Sequence, residues 1–322
     1  MISSKIYGDK LFHSMHEANF VNFGVMRIRE RVVLNPVRFL LLPLLITNVG
    51  CNTQYNLTYE REIENFRNKR VAFLKSEKGY LNLVGLFWLK EGENRFGSGS
   101  ENDLQFPAEF PKTFGSVFKS GKKVTFTYRE AVELNGTKLR STTINVDDRS
   151  QLFARGSFRW FILESGGNYA IRMRDFDNPV LNEPLDLKFY KVSSDWRIAG
   201  RYTAYDKVRT RIITNIREIH YEQKAPGLIT FERNGEWHSF EPRRNSEGLS
   251  VIFMDQTTGN ETFSGGRFLL LEEPDKNGDI ILDFNKALNF PCAYNAYTTC
   301  PVPPERNHLA LAVSAGEKAP SN

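Results

Sequence analysis

A chain of 322 residues with 40% hydrophobic and 25% charged residues can bury a sizeable core, which excludes a disordered or fibrous protein. Its formal charge of +5 points toward nucleic acid only until the charges are placed. Lys5, Lys10, Arg27, Arg29, Arg31 and Arg38 outnumber Asp9, Glu17 and Glu30 in the first fifty residues, and beyond them bases and acids alternate almost in balance. A nucleic-acid footprint is a clustered basic face, so no nucleic-acid partner is expected.

Met26 opens a basic stretch, Phe39 to Ile46 is an apolar run too short to span a bilayer, and Asn48-Val49-Gly50-Cys51 follows. This order reads as a lipoprotein signal peptide over residues 26–50. Cleavage before Cys51 makes that cysteine the site of lipid attachment, and two or more acyl chains are needed for a stable hold. The expected partner is the lipid bilayer, and the expected location the cell envelope, periplasmic or facing the outer membrane. Translation is expected to start at Met26, which leaves residues 1–25 as a mis-assigned start outside the folded protein.

A polar tether, residues 51–56, leads to Thr58, placed to cap a helix with Glu60 and Glu62 in its first turn. Ile63, Phe66, Phe73 and Leu74 then recur on one helical face, and Gly79 stops the run. Beyond it the period is two. Val124 to Tyr128 alternates, Asn135-Gly136 is a tight-hairpin signal, and Phe158–Leu163 and Tyr169–Arg174 flank Gly166-Gly167 as a second hairpin. Further strands are expected at Trp196–Tyr205, Val208–Ile219, Leu228–Glu232, Trp237–Pro242, Leu249–Met254, Gly266–Leu271 and Ile280–Phe284. The pattern predicts a mainly β protein: an antiparallel sandwich or barrel-like sheet with one N-terminal amphipathic helix and an irregular Pro/Cys-rich C-terminal segment. Residues 57–318 read as a single β-rich domain and residues 319–322 as a tail.

The segment from Phe290 through Pro291, Cys292, Cys300, Pro301, Pro303 and Pro304 cannot be ordinary helix or central strand. In an oxidising envelope, Cys292 and Cys300 are expected to form a disulfide closing a small loop. Their spacing is not a zinc signature and His308 adds only a third ligand, so neither metal nor cofactor is expected.

Around this segment the chain resembles the bacterial domain-of-unknown-function family 1684 (DUF1684). The similarity rests on Phe253 to Gly259, Thr262, Gly265 to Leu269, Leu282 to Ala287, Asn289, Pro291 to Ala293, Cys300-Pro301, Pro303-Pro304, Asn307 and Ala315 to Lys318. Gly85 to Leu89, Gly92, Asn94 and Arg172 to Asp175 extend it upstream, so that it spans roughly residues 60–318. The resemblance implies kinship of fold and no reaction.

Arg267, Asp283, Asn285, Lys286 and Lys318 form the candidate ligand site, in which Arg267 and Lys286 grip a carboxylate or phosphate and Asn285 orients it. Read otherwise, Arg267 and Asp283 form an internal ion pair on adjacent strands joined by a turn at Asn277-Gly278. The leading functional expectation is an exported lipoprotein whose β domain binds a small polar or anionic ligand. One alternative is an envelope hydrolase using the carboxylates Asp255 and Asp283, with Cys292 or His308 as nucleophile or base. The other is a structural envelope protein without ligand. No nucleophile elbow, phosphate loop or His-Glu-x-x-His motif occurs in the chain, and the sequence does not set an oligomeric state.

Overall fold

The computed structural model describes residues 49–148, 150–245 and 248–320. The expected start segment 1–25 lies outside the described residues, as does the leader 26–50 except for Val49 and Gly50. Those two open helix α1 (Val49–Lys75), which takes in Cys51 and the stretch expected as a tether. The helix therefore begins well before Thr58, because neither proline nor glycine interrupts the chain from Cys51 to Lys75. Ile63 and Leu74 are fully buried, as the spacing predicts, while Phe66 and Phe73 are only half-buried. Tyr59 and Arg70 complete the covered face.

The first β unit is a nine-stranded, nearly closed barrel-like sheet. Its strands are β1 (Leu83–Trp88), β2 (Gly92–Gly97), β3 (Leu104–Gln105), β4 (Gly115–Ser120), β5 (Lys123–Leu134), β6 (Thr137–Asn145), β7 (Phe153–Arg155), β8 (Phe158–Ser165) and β9 (Asn168–Asp175). They run in the order β1-β9-β8-β7-β5-β4-β2-β3, with β6 also paired to β5. Strand β5 shows why: Val124, Phe126 and Tyr128 point inward while Lys123 and Thr127 face water, as period-two side chains must. Asn135 and Gly136 join β5 to β6 with φ of 49° and 83°, the left-handed pair that a two-residue hairpin with native twist requires. The core is aromatic, with Phe153 and Trp160 stacked at 5.7 Å and Phe96 against Phe106 at 4.9 Å.

The second unit has a separate core and two four-stranded sheets. The first contains β10 (Arg197–Thr214), β11 (His220–Arg233), β12 (Glu236–Phe240) and β16 (Asp279–Asp283), in the order β12-β11-β10-β16. The other contains β13 (Arg243–Asn245), β14 (Gly248–Phe253), β15 (Arg267–Leu271) and β17 (Leu288–Asn289), in the order β13-β14-β15-β17. Strand β14 is buried along its whole length because both its faces are covered. Leu249, Val251 and Phe253 meet the main core, and Ile252 packs with Phe290 and Cys300 on the other side. Phe231, Phe240, Phe253 and Phe284 form a ring cluster, each fully buried side chain stabilising by about 1.5–3 kcal/mol.

Two expectations change here. Trp196–Tyr205 and Val208–Ile219 are not two strands: β10 runs through 18 residues with an interruption in its register. The strands bearing Arg267 and Asp283 do not pair, since β15 joins β14 and β17 while β16 crosses to β10.

Helix α1 packs on the second unit although the first unit follows it in the chain. Tyr59 donates to Asp283 Oδ1 at 2.7 Å, Arg67 to the Tyr190 carbonyl at 2.8 Å, and Arg70 to the Asn289 carbonyl at 2.9 Å.

Candidate anion-binding site

The expected cluster separates into buried anchors, Arg267, Asp283 and Asn285, and two surface ion pairs, at Lys286 and Lys318. Arg267 is wholly buried, and its partner is Asp255, at 2.8 Å, rather than Asp283. It also donates to the carbonyls of Val313, at 3.0 Å, and Ala315, and its guanidinium lies over the Phe253 ring. Asp255 takes further bonds from the Thr257 amide and hydroxyl and from the Val313 amide. Arg267 thus fastens the C-terminal segment to β15, leaving no face toward solvent.

Asp283 serves the helix instead. Its Oδ1 accepts from Tyr59 and from the amide and side chain of Asn285, whose Nδ2 also donates to the Ser193 carbonyl. Burial and then the Asp283 carboxylate push the Tyr59 phenol well up. Lys286 pairs with Glu62 and lies 3.7 Å from Asp283. Lys318 reaches Glu261 at 3.5 Å and sits over the Tyr190 ring. Asp255 and Asp283 share no hydrogen-bond partner among the described residues. His308 Nε2 donates to the Pro303 carbonyl at 3.1 Å. Cys292 and Cys300 stand together as free thiols, the Cys292 amide 3.2 Å from Cys300 Sγ. Among the described residues no three His, Cys, Asp or Glu side chains gather as metal ligands.

The cationic groups that do converge and remain reachable are elsewhere. On β10, Ala204 pairs with Gly227 and Arg209 with Ala225, so Tyr205 to Val208 bulge out opposite Pro226, which has no N–H to offer a ladder. Beyond the bulge Arg209, Arg211 and Ile213 share one strand face, and Ile213 is buried. Across from them stands Glu241, directly after Phe240 has been fixed in the core.

The Glu241 carboxylate is nearly covered, its side chain 4% exposed. Arg211 grips it with a fork, Nε to Oε2 and the terminal nitrogen to Oε1, both at 2.8 Å. Tyr205 donates to Oε1 at 2.7 Å, as does Arg306 at 2.7 Å. Arg209 lies 3.8 Å away, stacked on the Tyr205 ring at 3.7 Å. Burial pushes the Glu241 carboxyl up, but the bonds from Arg211, Tyr205 and Arg306 outweigh it and hold the group at about 2. Asn307 sets the geometry: its Oδ1 accepts from the Glu241 amide at 2.8 Å and its Nδ2 donates to the Glu241 and Ile252 carbonyls. Three guanidiniums therefore surround one carboxylate, and Arg209, Arg211 and Arg306 remain 49%, 37% and 46% exposed. The adjacent acids Asp206 and Glu305 are exposed.

Residues 185–318 match the family described as protein of unknown function, DUF1684. The chain belongs to this family. Among solved structures, an uncharacterized protein of Haloarcula marismortui determined by NMR is 31% identical, over 44% of this chain and 80% of that one, with a TM-score of 0.37. The FHA domain of FhaA is 13% identical over 28% of this chain and 97% of its own, with a TM-score of 0.20. A second FHA-domain structure is 13% identical over 31% and 96% of the two chains, again at 0.20. Likenesses this loose carry no argument about the site. No curated protein matches the chain.

Tyr205, Arg209, Arg211, Glu241 and Arg306 all lie within the DUF1684 region, whereas the nine-stranded sheet precedes it. None of the five was a sequence candidate. The alternation Arg209-Thr210-Arg211-Ile212-Ile213 marks a basic strand face. Nothing local, however, ties it to Glu241 or Arg306, which arrive from other parts of the fold.

Proposed function

We propose that this DUF1684 protein is an exported, lipid-tethered protein whose C-terminal β unit binds a small dianion, a phosphoryl group for preference, at Arg209, Arg211 and Arg306. One observation carries the reading: three half-exposed guanidiniums share a single buried carboxylate, an excess of two positive charges within the ring itself, with the exposed acids Asp206 and Glu305 beside it. A monoanionic carboxylate balances only one of them, whereas a phosphate monoester near neutral pH balances both. Guanidinium forks match tetrahedral oxyanions in geometry as well as charge. Glu241 engages two donor nitrogens of Arg211 and one of Arg306, so the remaining N–H groups are the ones offered outward. The Tyr205 ring holds Arg209 in place, which lowers the entropy lost on binding. The ligand role read for Arg267, Asn285 and Lys286 moves to this ring, since Arg267 and Asn285 are buried and bonded internally and Lys286 is paired with Glu62 at the surface.

The tether rests on the leader and Cys51 in the sequence. Among the described residues no helix is long and apolar enough to cross a membrane. Attachment through an acylated Cys51 needs none.

Calorimetric titration with inorganic phosphate, a phosphate monoester and acetate tests the site. Phosphate species are expected to bind at least about tenfold more tightly than acetate, and Arg209→Gln or Arg306→Gln to cost about tenfold each, a loss near 1.4 kcal/mol. Absence of binding by both inorganic phosphate and the phosphate monoester overturns the binding reading and leaves the ring as an internal latch. Mass spectrometry of the membrane fraction tests the tether: the expected mature chain starts at an acylated Cys51, and a chain retaining residues 26–50 overturns it.

A further inference from the structure

We infer that Cys292 and Cys300 are a reactive dithiol that closes to a disulfide by exchange with a small disulfide of the glutathione type. The short 3-10 turn Pro291–Ala293 lays the Cys292 amide 3.2 Å from Cys300 Sγ, and the two thiols are hydrogen-bonded to each other. Contact of this kind gives each sulfur a high effective concentration at the other.

The loop between the cysteines is already held at several points. Asn295 donates to the Leu83 carbonyl at 2.8 Å, Arg172 to Thr299 at 3.4 Å, and Arg217 to the Ala296 carbonyl. The Ile216 amide donates to the Cys300 carbonyl at 3.0 Å. These bonds come from both β units, so closure needs little rearrangement of the chain.

The two sulfurs differ in ways that assign the steps. Cys300 is 4% exposed and Cys292 is half-buried, so an outside reagent meets Cys292 first. Burial pushes the Cys300 thiol up, but its hydrogen bonds with Cys292 and Thr298, with the Arg172 charge nearby, outweigh it and bring the thiol down. The bond to Cys300 and then burial push the Cys292 thiol up. Cys300 is thus the more acidic thiol of the two. Cys300 loses its proton to solvent and takes the one on Cys292, and Cys292 attacks one sulfur of the incoming disulfide, which expels a thiolate. That thiolate takes the proton back from Cys300. Cys300 then attacks Cys292 Sγ and displaces the second thiolate, which is protonated by solvent. Two thiols are oxidised, one disulfide is reduced, and no other co-reactant enters. The inference is independent of whether the arginine ring holds an anion.

The test is peptide mapping of the full chain after incubation with oxidised glutathione, Cys51 being assigned on its own peptide. The Cys292 and Cys300 peptides are expected to be cross-linked, with loss of two hydrogens and no glutathione retained. Cys300→Ser is expected to trap glutathione on Cys292, and Cys292→Ser to leave Cys300 unmodified, each variant first shown by its melting curve to be folded. Wild type that accumulates glutathione on Cys292 overturns the inference, as do two thiols that still alkylate after excess oxidant. Should either variant fail to fold, the wild-type map alone decides.

Discussion

Asn307 holds Glu241 by both ends of its amide: Oδ1 accepts from the Glu241 N–H at 2.8 Å and Nδ2 donates to the Glu241 carbonyl at 3.1 Å. The same Nδ2 reaches the Ile252 carbonyl at 2.9 Å, and Asn307 is fully buried. One side chain therefore stitches β12, β14 and the Arg306 turn together. The carboxylate that organises the arginines is placed by its own backbone.

Asn307→Ala leaves three buried backbone groups without this partner. At about 1–3 kcal/mol for each unsatisfied group, partly relieved by water, the loss should be roughly 3 kcal/mol. Urea unfolding checks it through a lower midpoint at unchanged slope. The folded variant should also bind phosphate more weakly, because Glu241 and Arg306 no longer keep register.

The pH dependence of stability follows from Glu241. Its folded value of about 2 lies below that of an unfolded glutamate, about 4.3. A depressed carboxyl contributes stability that is complete above the unfolded value and lost as pH falls through the folded one. Here the window is about pH 4.5 down to 2, and the contribution about 3 kcal/mol. Urea midpoints taken across that window should fall steeply for the wild type and less steeply for Glu241→Gln.

Arg267→Met separates the internal anchor from the site. It strands Asp255 in the core and deprives the Val313 and Ala315 carbonyls of a donor. Breaking a buried pair from one side costs about 3–5 kcal/mol. Adding Asp255→Val should recover part of that loss, while phosphate affinity of the folded fraction should not change. A fall in affinity parallel to that of Arg306→Gln would return Arg267 to the ligand site.

Tyr59→Phe removes the hydroxyl that bonds Asp283 and Asn285. A loss of about 1–3 kcal/mol is expected, and hydrogen exchange should rise in α1 before it rises in β5.

Much of the fold is legible in local pattern. Alternation in β5, the Asn135-Gly136 turn and the Gly166-Gly167 hairpin each encode their geometry within a few residues. Arg267 and Asp283 show where that legibility stops. Both were read as buried charges needing partners, and both have them. The partner of Arg267 proved to be Asp255, twelve residues upstream, because strand neighbours depend on sheet topology rather than on sequence order. Tyr59 and Arg70 escaped the helical stripe because a search for apolar residues passes over a phenol and a guanidinium whose stems pack while their heads bond. The arginine ring was invisible for a different reason. The excess of arginine over glutamate becomes a site only when β10, Glu241 and the Arg306 turn arrive together.

Helix α1 belongs spatially to the second unit, yet the whole nine-stranded sheet lies between them in the chain. Tyr59 and Asp283 are separated by 224 positions, and Arg70 and Asn289 by 219. The arginine-bearing unit is thus discontinuous, with the other nested inside it. Loop closure over that span is slow and entropically costly until the intervening chain has condensed. Pulsed hydrogen exchange during refolding is therefore expected to protect the nested sheet first and α1 last.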